Sequence, residues 1–314
     1  MNVLVVGAGA IGTFYGAKLW QAGARVSLLC RSDYDVVSRR GIKIESVWGD
    51  FDGALPVVRD CAEFAEAGDC ADVILVALKV LPEIDIVSMI RPAVVPGHTR
   101  IVLMQNGVEI EAPIAKAFPD NNVISALAFT CINRVGPGHI RHLDYGRITL
   151  GDYPNGLFEF TRALGERFES VDVPIVLTDD IVRARWLKLV WNAPFNPMSV
   201  LGGGRDTAQI LACAESADIV RKVMEEVVAI AAATGHPLPE SAVDKNIADT
   251  ARMAPYRTSM CLDLAAGRPL EVEAILGNAV RAARREGVPA PHMTTLYALL
   301  RHVDATIRER FGAC

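Results

Sequence analysis

Short continuous apolar runs alternate with helix-period segments through the first half of the chain. That is the pattern of an open, mostly parallel sheet with covering helices. Residues 2–6 read as a buried strand, 13–21 as a helix ended by Gly23, and 25–30 as a second strand. Ser32 with Asp35 three residues on reads as the start of another helix, an N-cap with an acid near the positive end. Residues 42–57, broken by Gly49 and Gly53, read as a hairpin. Residues 72–77, 100–104 and 123–129 are further strands, the first two each leading through a loop into a helix. Gly136, Gly138 and Gly146 mark the turns of a second hairpin that ends near Leu150.

After a strand over residues 173–177 the period changes. Segments 181–190, 214–234, 243–253, 258–266, 270–286 and 294–310 repeat their apolar positions at helical spacing. Gly235, Gly267 and Gly287 stand where helix C-caps belong. The expected architecture is therefore an α/β Rossmann-type dinucleotide-binding domain over residues 1–178, followed by an all-α domain over 179–314.

Bulk properties narrow the function classes. At 314 residues the chain has room for about two domains. The mean hydropathy of +0.26 raises the question of a membrane span. The longest uncharged stretches, residues 3–17 and 189–204, are broken by four glycines in the first and by Asn192, Pro194, Asn196 and Pro197 in the second. Neither supplies the ~20 apolar residues a bilayer requires. No Lys or Arg precedes Lys18, so the positive start of a signal peptide is missing. Seven cysteines without paired spacing fit a reducing compartment, which points to the cytoplasm. A net charge of −5 argues against nucleic acid as a partner and leaves room for an acidic substrate in a local basic pocket.

Gly7-Ala8-Gly9-Ala10-Ile11-Gly12 follows the first strand and opens the first helix. In that setting glycines permit a tight turn and close backbone approach to a pyrophosphate, and the helix N-terminus offers N–H groups and positive dipole. A site for NAD places Asp or Glu at the tip of the second strand to hold the ribose 2′-hydroxyl. Here that tip reads Cys30-Arg31-Ser32. A guanidinium suits a 2′-phosphate and Ser32 could add a hydrogen bond, so NADP(H) is the expected cofactor. The bland alternative is an Arg31 paired with Asp33 or Asp35. Lys79 and Asn106 end the strands over 72–78 and 100–104, and ligands of open α/β sheets lie beyond such carboxyl ends. Taken singly, each is as well explained as a turn residue.

The most informative segment is 185–200. Lys188, Asn192 and Asn196 are spaced i, i+4, i+8 and form one stripe on a helix whose other faces are apolar. Pro194 and Pro197 are expected to kink or end that helix. A desolvated lysine can both stabilise and protonate the alkoxide left when hydride reaches a ketone, because burial lowers its pKa towards neutrality. The alternative is a lysine snorkelling to solvent. Ser259 lies on the segment 258–266, and Glu271 falls in the first turn of a helix begun by Pro269, where it also has a simple dipole reading. His139 and His142 point to opposite faces of a strand, so no metal is expected. Cys213 and Cys261 read as helix packing residues, and residues 281–285 as a solvated basic face.

Together these pieces resemble the ketopantoate reductase family (2-dehydropantoate 2-reductases) nearly from end to end. The resemblance rests on the glycine loop, Arg31, Leu78-Lys79, Gln105-Asn106-Gly107, Lys188-Leu189-Val190-Trp191-Asn192 with Asn196-Pro197, Thr258-Ser259-Met260 and Leu270-Glu271-Val272-Glu273. It implies an NADPH-dependent oxidoreductase that reduces 2-dehydropantoate to pantoate on the route to pantothenate and coenzyme A. It also implies Lys188 as proton donor, Asn192, Asn196 and Ser259 on the substrate, Asn106 on both ligands, and Lys79 and Glu271 on the cofactor. The family's further Asn, about ten residues after the second stripe Asn, has Asp206 as its nearest match, and Trp191 and Pro194 are unusual neighbours. These departures leave two alternatives open: a paralogous NADPH-dependent reductase of another small 2-oxo acid, and a non-catalytic NADPH sensor. A homodimer is compatible with the sequence and not decided by it.

Overall fold

The structure, a computed structural model, describes residues 1–311. The chain divides into two compact units. The first comprises residues 1–79, 84–105 and 110–181, and the second comprises 80–83, 106–109 and the chain from 182 onward.

The first unit is a sheet covered by helices. Its elements are β1 (Asn2–Val6), α1 (Ala10–Gln21), β2 (Arg25–Leu29), α2 (Tyr34–Arg40), β3 (Ile42–Ser46), β4 (Phe51–Gly53), β5 (Val57–Val58), α3 (Cys61–Glu66) and β6 (Val73–Val76). There follow α4 (Ile86–Ile90), β7 (Arg100–Leu103), α5 (Glu111–Ala117), β8 (Val123–Gly136), β9 (His139–Asp152), α6 (Glu159–Glu169) and β10 (Ile175–Leu177). The strand order is β4-β3-β9-β8-β7-β6-β1-β2-β5, with β10 on β9. The run β8-β7-β6-β1-β2-β5 is parallel, whereas β8 with β9 and β3 with β4 are antiparallel.

Strand β1 shows why a continuous apolar run becomes a central strand. Val3, Leu4, Val5 and Val6 are all fully buried. Val3 and Val5 join one core with Phe14 and Tyr15 of α1 and Phe168 of α6. Leu4 and Val6 join the opposite one with Phe64 of α3, Ile90 of α4 and Ile114 of α5. Alternate side chains thus pack under helices on both faces, as a doubly covered parallel sheet demands.

The second unit is helical: α7 (Ile181–Leu201, from its second residue), α8 (Thr207–Ala212), α9 (Ala214–Ala233), α10 (Ala242–Arg252), α11 (Ser259–Ala265), a π-helical turn (Glu273–Gly277), α12 (Asn278–Glu286) and α13 (Pro291–Phe311). Its core gathers Trp186, Leu189, Val190 and Phe195 of α7 with Val223, Val227 and Ile230 of α9 and Leu296 and Leu300 of α13.

Several expectations need correction. Helix α7 does not break at Pro194 and Pro197 but continues to Leu201. Each internal proline costs about 3 kcal/mol. Trp186, Leu189, Val190, Ala193, Phe195 and Val200 are all buried. Large apolar side chains contribute ~1.5–3 kcal/mol each on burial, so packing outweighs the two prolines. Helix α1 starts at Ala10, with Gly9 as N-cap, three residues earlier than its apolar period suggests. Helix α2 starts at Tyr34 with Asp33 at the N-cap and no side-chain cap; the hydroxyl of Ser32 donates instead to Asp33. Strand β8 runs on to Gly136, and helix α8 was not anticipated. Glu271 precedes the π-helical turn rather than lying in a first α-turn. Cys213 is exposed at the N-cap of α9, so it is not a packing residue, whereas Cys261 is buried.

Candidate active site

The glycine loop shows three different uses of a missing side chain. Gly7 has φ +104°, and a Cβ there would lie 2.8 Å from the backbone nitrogen of Leu78, beyond the end of β6. A Cβ on Gly12 would lie 2.2 Å from the carbonyl oxygen of Gly7. Both glycines are required by close approach of backbone to backbone. At Gly9 a Cβ would meet nothing within 4 Å. The protein fold leaves that space open, directly before the first-turn N–H groups of α1, which lack intrahelical partners. The loop therefore fits a bound pyrophosphate.

Arg31 is exposed at the tip of β2 and makes no ion pair among the described residues. The pairing with Asp33 considered above does not occur. Asp33 is buried and accepts from Nε of Arg134 at 3.1 Å, from the Gly138 N–H at 3.2 Å and from Ser32 Oγ at 3.1 Å. Ser32 is therefore engaged locally. Lys79 is half-buried just past β6. Nε2 of Gln105 donates to the carbonyl oxygen of Leu78 at 2.6 Å and ties the ends of β6 and β7 together.

In the second unit, Lys188, Asn192 and Asn196 stand on one unbroken helix, with a rise of about 6 Å between successive members. Lys188 Nζ donates to Oδ1 of Asn106 at 3.0 Å. Three residues earlier, the buried Arg185 donates from Nη1 to the carbonyl oxygen of Gly107 at 3.0 Å. Two cations of α7 thus grip one short segment. Its other side is held by the π-helical turn and α12, where Asn278 Nδ2 donates to the Val108 carbonyl at 2.7 Å. Gly107 has φ +103°, and a Cβ there would lie 2.5 Å from the carbonyl oxygen of Ala274, so only glycine permits this approach. Glu271 Oε1 accepts the backbone N–H of Val80 at 3.0 Å.

The electrostatics follow from this packing. Burial first, and the positive charge of Arg185 second, lower the Lys188 pKa from 10.5 to about 7 against the opposing pull of the Glu271 carboxylate. Asn192 and Asn196 are buried. The Oδ1 atom of Asn196 has no hydrogen-bond partner among the described residues. A buried acceptor left unpaired costs about 1–3 kcal/mol, which a ligand's donor would relieve.

Ser259 is exposed in the first turn of α11, after the N-cap Thr258, and its side chain makes no polar contact among the described residues. Asp206 acts locally, its carboxylate accepting the Gln209 N–H at 2.8 Å in the capping box of α8. Arg185 was missed in the sequence, although its spacing of three from Lys188 put it on the same helix face. The Asp33–Arg134 pair was also missed, and a separation of 101 residues left no local signal for it. His139 and His142, on β9 inside the sheet, are bonded to Glu45 and Ser46 of the neighbouring β3. No group of three or more metal-ligating side chains occurs among the described residues. Among them, no helix is long and apolar enough to cross a membrane.

Two family models match the chain: "Ketopantoate reductase PanE/ApbA" over residues 3–155 and "Ketopantoate reductase PanE/ApbA C terminal" over residues 180–304. A 2-dehydropantoate 2-reductase of Nostoc sp. is 38% identical over 313 residues, covering 98% of this chain and 96% of its own. A solved 2-dehydropantoate 2-reductase of Methylococcus capsulatus superposes with a TM-score of 0.92 at 47% identity, over 100% of both chains. Another, from Geobacter metallireducens, gives 0.89 at 36% identity over 96% of this chain and 99% of that one.

Proposed function

The chain belongs to the ketopantoate reductase family, and on that footing we propose that it reduces 2-dehydropantoate to pantoate with NADPH, for pantothenate and coenzyme A synthesis. The observation that carries this reading is the Lys188 ammonium, bonded to Asn106 at 3.0 Å with its pKa brought down to about 7. A proton donor works best when its pKa lies near the operating pH.

In this reading residues 1–178 hold the coenzyme and residues 179–314 hold the substrate and the proton donor. The backbone of Gly7, Ala8, Gly9, Ala10, Ile11 and Gly12 receives the pyrophosphate, Arg31 the 2′-phosphate, and Lys79, Asn106 and Glu271 orient the remainder. NADPH supplies the hydride when bound. Lys188 offers its positive charge to the ketone oxygen while negative charge develops there, then gives up a proton from Nζ. Asn106 fixes the direction of that ammonium by accepting one of its three N–H bonds. Asn192 and Asn196 hold the oxo-acid end, and the open Oδ1 of Asn196 takes a donor from the substrate, such as its hydroxyl. Ser259 binds the carboxylate. The odd cysteine count supports a reducing setting, the cytoplasm.

One observation favours a second reading, a paralogous reductase of another small 2-oxo acid. Asp206, the nearest match to a further substrate amide, is committed to capping α8. NADPH oxidation by the purified protein with ketopantoate, set against pyruvate, 2-oxoisovalerate and oxaloacetate, separates the two. Preference for ketopantoate supports the main reading, and preference for another acid supports the paralogue. Turnover of none of them would make the protein a sensor. Lys188→Ala should lower kcat by roughly 10²–10⁴-fold while NADPH still binds.

A further inference from the structure

The tip of β2 carries more charge than the coenzyme reading uses. Two residues beyond Arg31 stands Asp33, an acid of the kind that an NAD site places near this point. Its side chain is almost wholly buried. Arg134, from the far end of β8, meets it through Nε at 3.1 Å and through a second guanidinium nitrogen. The backbone N–H of Gly138 adds a third donor at 3.2 Å.

That arrangement depends on the length of the β8–β9 hairpin. Strand β8 pairs with β7 only over Val123–Ser125 but continues to Gly136, which carries Arg134 to the end of β2. The hairpin turn is then pinned. The Lys43 N–H donates to the Gly138 carbonyl at 2.8 Å, and a Cβ on Gly138 would lie 3.0 Å from Val37 of α2. The guanidinium therefore reaches Asp33 from a docked element rather than from a free loop.

A carboxylate at this place could act against a 2′-phosphate in two ways. It could repel the phosphate directly, and it could draw the exposed Arg31 into an ion pair of its own. Neither happens while Arg134 neutralises it. Resting on the NADPH reading above, we propose that Arg134 is a specificity-determining positioning residue: it occupies Asp33 and so leaves Arg31 for the 2′-phosphate of the coenzyme. Arg134 need not touch the coenzyme for this. Its effect passes through Asp33, and that sets it apart from a second phosphate ligand.

The test is direct binding of NADPH and of NADH to the full chain, by fluorescence titration, for wild type, Arg134→Met, Asp33→Asn and the double variant. Arg134→Met should weaken NADPH by about 10- to 100-fold, the worth of one hydrogen bond to a charged group, and leave NADH within about threefold. Asp33→Asn alone should keep the preference for NADPH, since no acid then competes for Arg31. The double variant should recover NADPH binding to within about threefold of wild type. Equal losses for both coenzymes in Arg134→Met, or no recovery in the double variant, would overturn the proposal. If Arg134→Met does not fold, Asp33→Asn decides: retained preference supports the proposal and lost preference refutes it. Failure of the coenzyme reading looks different. Wild type would then favour NADH, and Arg31→Ala would change neither affinity.

Discussion

Turnover should fall as pH is raised through about 7, and Arg185→Gln should move that fall to higher pH. As the proposed proton donor, Lys188 would have to carry its proton in order to deliver it, so on that reading the rate follows the protonated fraction and declines above the folded-state pKa of about 7. Burial is the larger cause of that low value and remains in the variant; the charge of Arg185 is the smaller cause and does not. Side chains three apart on a helix lie about 6 Å from one another. At that separation and an effective dielectric of ~20, two unit charges repel by about 2.8 kcal/mol, equivalent to about two pH units. Solvent screening makes this a ceiling, and a rise of about one unit is expected, to about pH 8.

Glutamine is the useful replacement because its amide can still donate towards the Gly107 carbonyl that Arg185 Nη1 now holds. The assay is single-turnover NADPH oxidation at saturating ketopantoate from about pH 6 to about pH 10, which removes product release from the measured rate. A variant whose rate drops uniformly, with its descending limb where the wild type has it, would refute the reasoning. Arg185 would then be a strut for the Asn106 segment with no hold on the proton.

Lys188→Met should lower turnover as Lys188→Ala does, yet stabilise the fold. The folded-state pKa lies below the unfolded value of 10.5. The cost of burying the ammonium is therefore full below pH 7 and fades as pH rises towards 10.5. Urea titration should show a gain of about 1–3 kcal/mol near pH 6 that shrinks at pH 9, and a gain independent of pH would contradict this account. Gly9→Ala should leave thermal stability unchanged and weaken coenzyme binding at least about tenfold, since only a ligand would meet the new methyl group. Gly12→Ala should instead lower Tm, because its Cβ would collide with the Gly7 carbonyl; the reverse ranking would show the loop misread. Glu226→Ala should cost about 1–3 kcal/mol in urea unfolding with the slope unchanged. The buried carboxylate accepts the N–H groups of His292 and Met293 at 2.9 and 2.8 Å, so its loss uncaps α13.

What could be read from the residues alone was whatever one turn of helix or one strand decides. The run at Val3–Val6 declares a strand buried on both faces because nothing in it is polar, and three glycines after it declare a turn. The spacing of Lys188, Asn192 and Asn196 put three polar groups on one face even though the prolines argued for a break. The prolines misled because propensity is local and burial is not: the core around Trp186, Leu189 and Phe195 decides where α7 ends. Asn106 and Lys188 were each singled out separately. Their bond spans 82 residues and needed the positive φ of Gly107 to bring the segment against Ala274. Arg134 lies further beyond such reading. Nothing near it in the chain distinguishes it from any arginine on an exposed strand, and only the extra length of β8 delivers it to Asp33. If coenzyme choice depends on that pair, the tip of the second strand does not by itself determine it. An acid two residues from Arg31 counts against NADPH only in chains whose hairpin brings no cation to cover it.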